Sequence, residues 1–164
     1  ISNFAGGAGF LNATFLEMIN QINGAIHGLR QQSKDICNVD TIPLTMFISS
    51  IAYAAFNTTN TNDSKTVKTW LKETYPNLTV VPTFQFDGAN SAANVYYLMA
   101  LEMPNTANGG TDNGKTISNM VQTKATLLGT KDDPTDTGYT ERWTCAVAGV
   151  MVKRPVLIKR YSGC

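Results

Sequence analysis

The feature that most constrains this chain is a single apolar stripe near its start. Leu11, Phe15, Met18, Ile22, Ile26 and Leu29 are separated by 4, 3, 4, 4 and 3 positions. That is the period of an α-helix seen from one side, and a strand cannot bring those six side chains to one face. Asn12 is expected to cap the helix, and Gln31-Gln32-Ser33 to let it fray. At 1.5 Å per residue, such a helix is a rod roughly 30 Å long that needs a partner along its whole length. Gly24 and Gly28 lie inside it. Each weakens the interior by up to ~1 kcal/mol, but each also lets another backbone come close. Residues 1–11, with Gly6-Gly7-Ala8-Gly9, read as a flexible linker, because no strand precedes the glycines to complete a phosphate-binding turn.

After the helix, Cys37–Ile42 reads as a short extended segment. Pro43 suits the first turn of a second helix running to about Phe56, with Phe47, Ile48, Ile51, Ala52 and Ala55 facing inward. Asn57–Asn62 is a polar loop. Asp63 or Ser64 then caps a third helix whose face is Val67, Trp70 and Leu71, ending before Pro76. Beyond Pro76 the texture is that of strands. Leu78–Val81 is closed by Pro82, Phe84–Phe86 continues it as an edge, and Asp87-Gly88 turns the chain. Asn94–Met103 is nearly continuous apolar and predicts a buried central strand. Val121–Leu128, Tyr139–Val152 with a bulge at Gly149, and Pro155–Tyr161 complete the set, separated by polar loops at Pro104–Gly114 and Gly129–Gly138. Helices come first and strands later, without strand–helix–strand alternation, so the expected class is α+β.

Chemistry is sparse. The sole histidine, His27, has no cysteine or carboxylate at helical spacing beside it, and the chain offers no zinc-ligand pattern. Asp132, Asp133 and Asp136 lack the alternation and closing Glu of a calcium loop. Asp87 and Glu102 could act as an acid and base only if folding joined them. Ser64 and Lys65 are adjacent, not spaced as nucleophile and base on one helix face. Trp70 and Trp143 sit in apolar patterns and are read as core. No catalytic, cofactor-binding or metal-ligating residue is assigned, and no cofactor is expected. Cys37, Cys145 and Cys164 are an odd set without short spacing, which favours reduced thiols over a disulfide framework.

Composition bears on partners. Charged residues are 15% of the 164 positions, against about 25% in an ordinary soluble domain. Thr (21) and Asn (15) fill the difference. A net charge of +1 gives no general attraction to nucleic acid, and sequence-specific binding is not expected. The one basic concentration, Lys153, Arg154, Lys159 and Arg160, falls on an expected strand and is read as an interface feature. No run approaches the ~18 apolar residues of a membrane helix, so no membrane partner is expected. The first residue is Ile1, which suggests a processed or excised chain. A surface short of charge is cheaply covered by neighbours, since desolvating charge is costly.

The order of landmarks resembles the C-terminal part of tailed-phage and prophage major capsid proteins, whose fold is shared with encapsulins. The long helix leads to Asp40-Thr41-Ile42-Pro43-Leu44, similar to the family's "DTL-x-P". Ser64–Lys72 with Tyr75-Pro76-Asn77 is similar to its "tvl-x-wlk…nP" helix. Phe86-Asp87-Gly88-Ala89 before Val95–Leu98 resembles "L-x-gag…-r-mvvy", and Ala148–Pro155 closing on Tyr161-Ser162-Gly163 resembles "gGv-x-v-x-rP…-tG". The likeness spans about residues 12–164. Ala148 departs from the family's second glycine, and Cys164 from its usual aliphatic end.

The resemblance implies a non-enzymatic shell protein of a virion, assembled in the bacterial cytoplasm. Its partners would be copies of itself in pentamers and hexamers, with scaffold, portal or decoration proteins as further candidates. It implies a spine helix and lead-in of a peripheral domain over 12–46, an axial domain with a helix-flanked central sheet over 47–147, and strands returning to the periphery over 148–164. An N-terminal arm and hairpin loop would be missing, so the 164 residues alone are expected to form a monomer or small oligomer. An encapsulin-like compartment is a close variant. From another class, a small hydrolase could use Cys37 or Cys145 with His27. His27→Ala separates the classes: a shell protein should assemble unchanged in a sedimentation assay, whereas a hydrolase should lose turnover.

Overall fold

In the computed structural model, which describes residues 9–60, 64–89, 94–103, 114–132 and 138–162, the apolar stripe forms α1, Phe15–Gln32. The cap is Thr14, not Asn12, which lies in a preceding 3-10 turn, Phe10–Asn12. The Thr14 hydroxyl accepts from the Glu17 backbone N–H at 3.4 Å, while the Thr14 N–H donates to the Glu17 carboxylate at 2.8 Å. This reciprocal pair satisfies two of the donors that a helix start leaves open. The same backbone bond from Thr14 holds the Glu17 carboxyl below its ordinary value.

Six strands and two more helices follow: β1 (Leu44–Ser49), α2 (Ser50–Ala54), α3 (Val67–Thr74), β2 (Leu78–Thr83), β3 (Val95–Met99), β4 (Ile117–Asp132), β5 (Tyr139–Val152) and β6 (Ile158–Ser162). Four of them make one sheet in the order β2-β1-β3-β6. β1 runs parallel to β2 and antiparallel to β3, which is antiparallel to β6. The expected central strand is therefore present, but the expected helix from Pro43 is corrected. Residues 44–49 are a strand in which Leu44, Met46 and Ile48 are buried and Thr45 and Phe47 half-buried. A short apolar run fits either period. Here β2 and β3 flank the segment and offer hydrogen bonds along both edges, an outcome that local spacing does not encode.

The helix that does form is one short turn, α2. Ser49 caps it through the Ala52 N–H at 3.0 Å, and Asp87 accepts from Ser50 Oγ at 2.5 Å. Ile51, expected inside, is exposed. α3 is capped by Thr66, downstream of Ser64. Because α2 and α3 connect parallel strands, one strand–helix–strand unit exists after all; the sheet is mixed and the class remains α+β. Cys37–Ile42 is a turn, not an extended segment, since the Asn38 carbonyl gathers the N–H groups of Thr41 and Ile42. Pro82 lies within β2, tolerated because β2 is an edge strand. Phe84–Phe86 and Pro155–Leu157 are 3-10 turns.

The core forms where α1 lies on the sheet. Met18, Ile22 and Leu29 belong to one buried cluster with Met46, Ile48, Tyr96 and Leu98. Tyr96, the largest fully buried side chain, packs against Phe10 at 5.7 Å and stacks on Tyr161 at 4.9 Å. Residues far apart in sequence tie β6 to α1. Tyr161 donates its hydroxyl to the Ala25 carbonyl at 3.0 Å, and the Gln32 amide donates to the carbonyls of Val156 and Ile158 at 3.0 and 2.9 Å.

The chain divides into two compact units, Ile1–Thr116 with Arg154–Cys164, and Ile117–Lys153. The second is a two-stranded antiparallel ribbon of β4 and β5. β4 extends beyond the expected 121–128 and takes in Gly129–Asp132. The register passes from Met120↔Gly149 to Val121↔Val147, leaving Ala148 as the extra residue of a bulge beside Gly149 at φ 106°. Residues 1–8 of the expected linker, 61–63 with Asp63, 104–113, 133–137 with Asp133 and Asp136, and 163–164 with Cys164 lie outside the described residues.

The two helix glycines differ in surroundings. A Cβ at Gly24 would meet nothing within 4 Å, whereas one at Gly28 would approach Lys159 Nζ to 2.6 Å and Tyr161 OH to 2.9 Å. Gly24→Ala should therefore raise stability by about 0.5–1 kcal/mol. Gly28→Ala should forfeit that gain by displacing the Tyr161 hydroxyl from Ala25, and urea unfolding of the two variants measures the contrast.

Candidate assembly and binding surfaces

The residues of the hydrolase alternative lie on α1, in the turn that follows it and on β5. His27 is exposed on α1, and Cys37 is buried in the turn that follows. Burial pushes the Cys37 thiol up, outweighing the lowering effect of its hydrogen bond with Ser33. A thiol that resists ionisation is a poor nucleophile. Cys145 is exposed on β5, in the other unit. Asp87 is occupied at the start of α2, where its bond from Ser50 holds its carboxyl below the usual range. Glu102 sits in a backbone bridge opposite Lys115. Lys65 pairs with Glu73 at 2.7 Å. Among the described residues, no three His, Cys, Asp or Glu side chains are grouped to hold a metal.

The tryptophans divide. Trp70 is half-buried against Tyr75, edge to face at 5.9 Å. Trp143 is 59% exposed, its indole N–H donating to Glu141 at 3.0 Å, and the expectation that it is core is corrected. A two-stranded ribbon has no second layer of its own to cover an apolar face, and such a ribbon is marginal in water.

That face is the first surface. Trp143 stands opposite Leu127 and Val147 opposite Val121, and all four are exposed, with register shifts in β4 between the two pairs. Val147 is 66% exposed. Apolar residues grouped in this way mark an interaction surface. Spacing alone could not separate them from core residues, because the alternation of a strand is the same whether its apolar side meets its own chain or another.

The second surface is a groove of about 500 Å³ between α1 and β6. Its helix wall includes Gln21, Gly24 and His27; its strand wall is the consecutive run Lys159–Ser162. Burial raises the Tyr161 phenol to about 12, so it stays protonated as the donor to Ala25. Lys159 lies over the Tyr161 ring, its ammonium 5.6 Å from the centroid. The basic concentration seen in the sequence thus borders this groove through Lys159 and Arg160.

Solved structures share the fold. The capsid of Myoviridae phage XM1 superposes with a TM-score of 0.68 at 14% identity, covering 99% of this chain and 52% of that one. A virus-like particle from Pyrococcus furiosus superposes with a TM-score of 0.51 at 16% identity, covering 96% and 53%. The fold is that of particle-forming capsid proteins, and the chain spans about half the length of these two. No curated protein sequence matches it. Residues 2–163 match the profile of the Pa193 gp26 major capsid protein family, and the chain belongs to that family.

Cys37 supplies a check on the closure of the α1 turn. In a Cys145→Ser, Cys164→Ser background, its reaction with a thiol reagent should be slow and should accelerate with urea in step with unfolding. Immediate labelling of the folded protein would contradict its burial.

Proposed function

We propose that this chain serves as a shell subunit of a phage or prophage head, associating with copies of itself in the pentamers and hexamers of an icosahedral capsid. The observation that carries this reading is the family match over residues 2–163. The ribbon adds a physical argument. Its exposed apolar face is a liability in a monomer and an asset in an assembly, where symmetry repeats one modest contact many times. The role is structural, not enzymatic, and its site is the virion, assembled in the host cytoplasm. Scaffold, portal and decoration proteins are candidate partners. Among the described residues, no helix is long and apolar enough to cross a membrane.

In this reading α1 and the segment to residue 46 form the spine of a peripheral domain, 47–147 the axial domain, and 148–164 the return to the periphery. The bonds that Gln32 donates to Val156 and Ile158, and that Tyr161 donates to Ala25, support the return. An encapsulin-like compartment is the second reading, supported by the likeness to the Pyrococcus furiosus particle. Electron microscopy of the product of the whole encoding gene should show closed particles, whereas the 164 residues alone should stay a monomer or small oligomer. Val147→Asp with Leu127→Asp should abolish the particles while leaving near-wild-type circular dichroism. Particles unaffected by both substitutions would remove the ribbon face from the account. Packaged DNA would favour a head, and packaged protein the compartment.

A further inference from the structure

The four consecutive residues Lys159–Ser162 all line the groove beside α1. Successive side chains of a strand point to opposite faces, so a cavity touched by a consecutive run lies along the strand's edge, not over one face. Sheet order agrees: among the described residues, β6 is an edge strand with β3 on one side only. The orientation of its backbone can be read from three hydrogen bonds. The Ala100 N–H donates to the Leu157 carbonyl at 3.2 Å, which turns Leu157 toward the β3 side. The carbonyls of Val156 and Ile158 turn the other way and accept from the Gln32 amide. Continuing the alternation, the backbone groups of Arg160 and Ser162 face outward into the groove.

The groove's other features suit a strand. The side-chain amide of Gln32 already imitates a neighbouring strand at the end of this edge. At Gly24, a Cβ would find nothing within 4 Å, so a backbone can approach the helix there. Charge sets the chemistry. Lys159 pairs across the sheet with Leu98, and Arg160 with Tyr97, which places the two bases on opposite faces of the sheet. The acid at this wall, Glu17, is already engaged by Thr14.

The geometry points to an extended acidic peptide segment of a partner protein that adds to the outer edge of β6, bonding to the backbone of Arg160 and Ser162 while its carboxylates meet Lys159 on one face or Arg160 on the other. Main-chain pairing supplies affinity in such strand addition, and side-chain pairs supply selectivity. The inference goes beyond shell formation and does not depend on it.

The test uses the full chain and a fluorescent short peptide alternating valine and glutamate, followed by anisotropy. Its lysine counterpart and a short single-stranded DNA serve as competitors. The acidic peptide should bind, the lysine peptide should not compete, and raised salt should weaken binding. Arg160→Glu, an exposed change, should weaken it about tenfold or more. Gly24→Phe should weaken it as much by filling the groove, with helix content checked by circular dichroism. Equal binding of the two peptides, or binding indifferent to both substitutions, would overturn the assignment. So would DNA binding that needs Arg160 but ignores Gly24→Phe, which would make the site a phosphate track. Dimerisation of the chain alone, lost in the same two variants, would assign the edge to a second copy instead.

Discussion

The stacking of Tyr96 on Tyr161 joins parts of the chain that no local preference would bring together. Their rings lie 4.9 Å apart and nearly parallel, one on a central strand and one on an edge strand. Tyr96 also meets Phe10 ahead of the helix, and Tyr161 reaches the carbonyl of Ala25 within it. Four segments thus converge on two rings. Buried aromatic pairs bring large apolar area, but each hydroxyl needs a partner. Gln21 serves Tyr96 at 3.5 Å and Ala25 accepts from Tyr161. These needs fix where α1 lies on the sheet, and with it the floor of the groove.

The helix was legible because its period is unambiguous over several turns: Met18, Ile22, Ile26 and Leu29 are all buried as spaced. Leu11 was not, since the chain turns at Asn12 and Thr14 takes the cap, leaving Leu11 exposed. β1 was misread because Leu44–Ser49 satisfies two periods at once and only β2 and β3 decide between them. β5 was legible to the residue, including the bulge at Gly149, since turn residues bound it on both sides.

Surfaces were harder to read than elements. The sequence marked Lys159 and Arg160 as an interface, but not that they border an open strand edge. That depends on Gln32 reaching across more than a hundred residues to Val156 and Ile158. Trp143 looked like core because an apolar strand side carries no mark of what will cover it. The family motif at Asp40–Leu44, in contrast, was readable from its residues, although it leads through a turn into β1 and not into a helix.

The Gln32 amide has a consequence for solubility. An unprotected strand edge is a template on which like edges can pair without limit, the route to fibrils. Here the two carbonyls at the start of the edge are already occupied by a side chain. What stays open is a short stretch ending at Ser162, walled on one side by a helix and bearing two cations. Identical chains meeting edge to edge would set lysine and arginine against their own kind. The strand can therefore be held out to solvent at high local concentration without seeding its own precipitation.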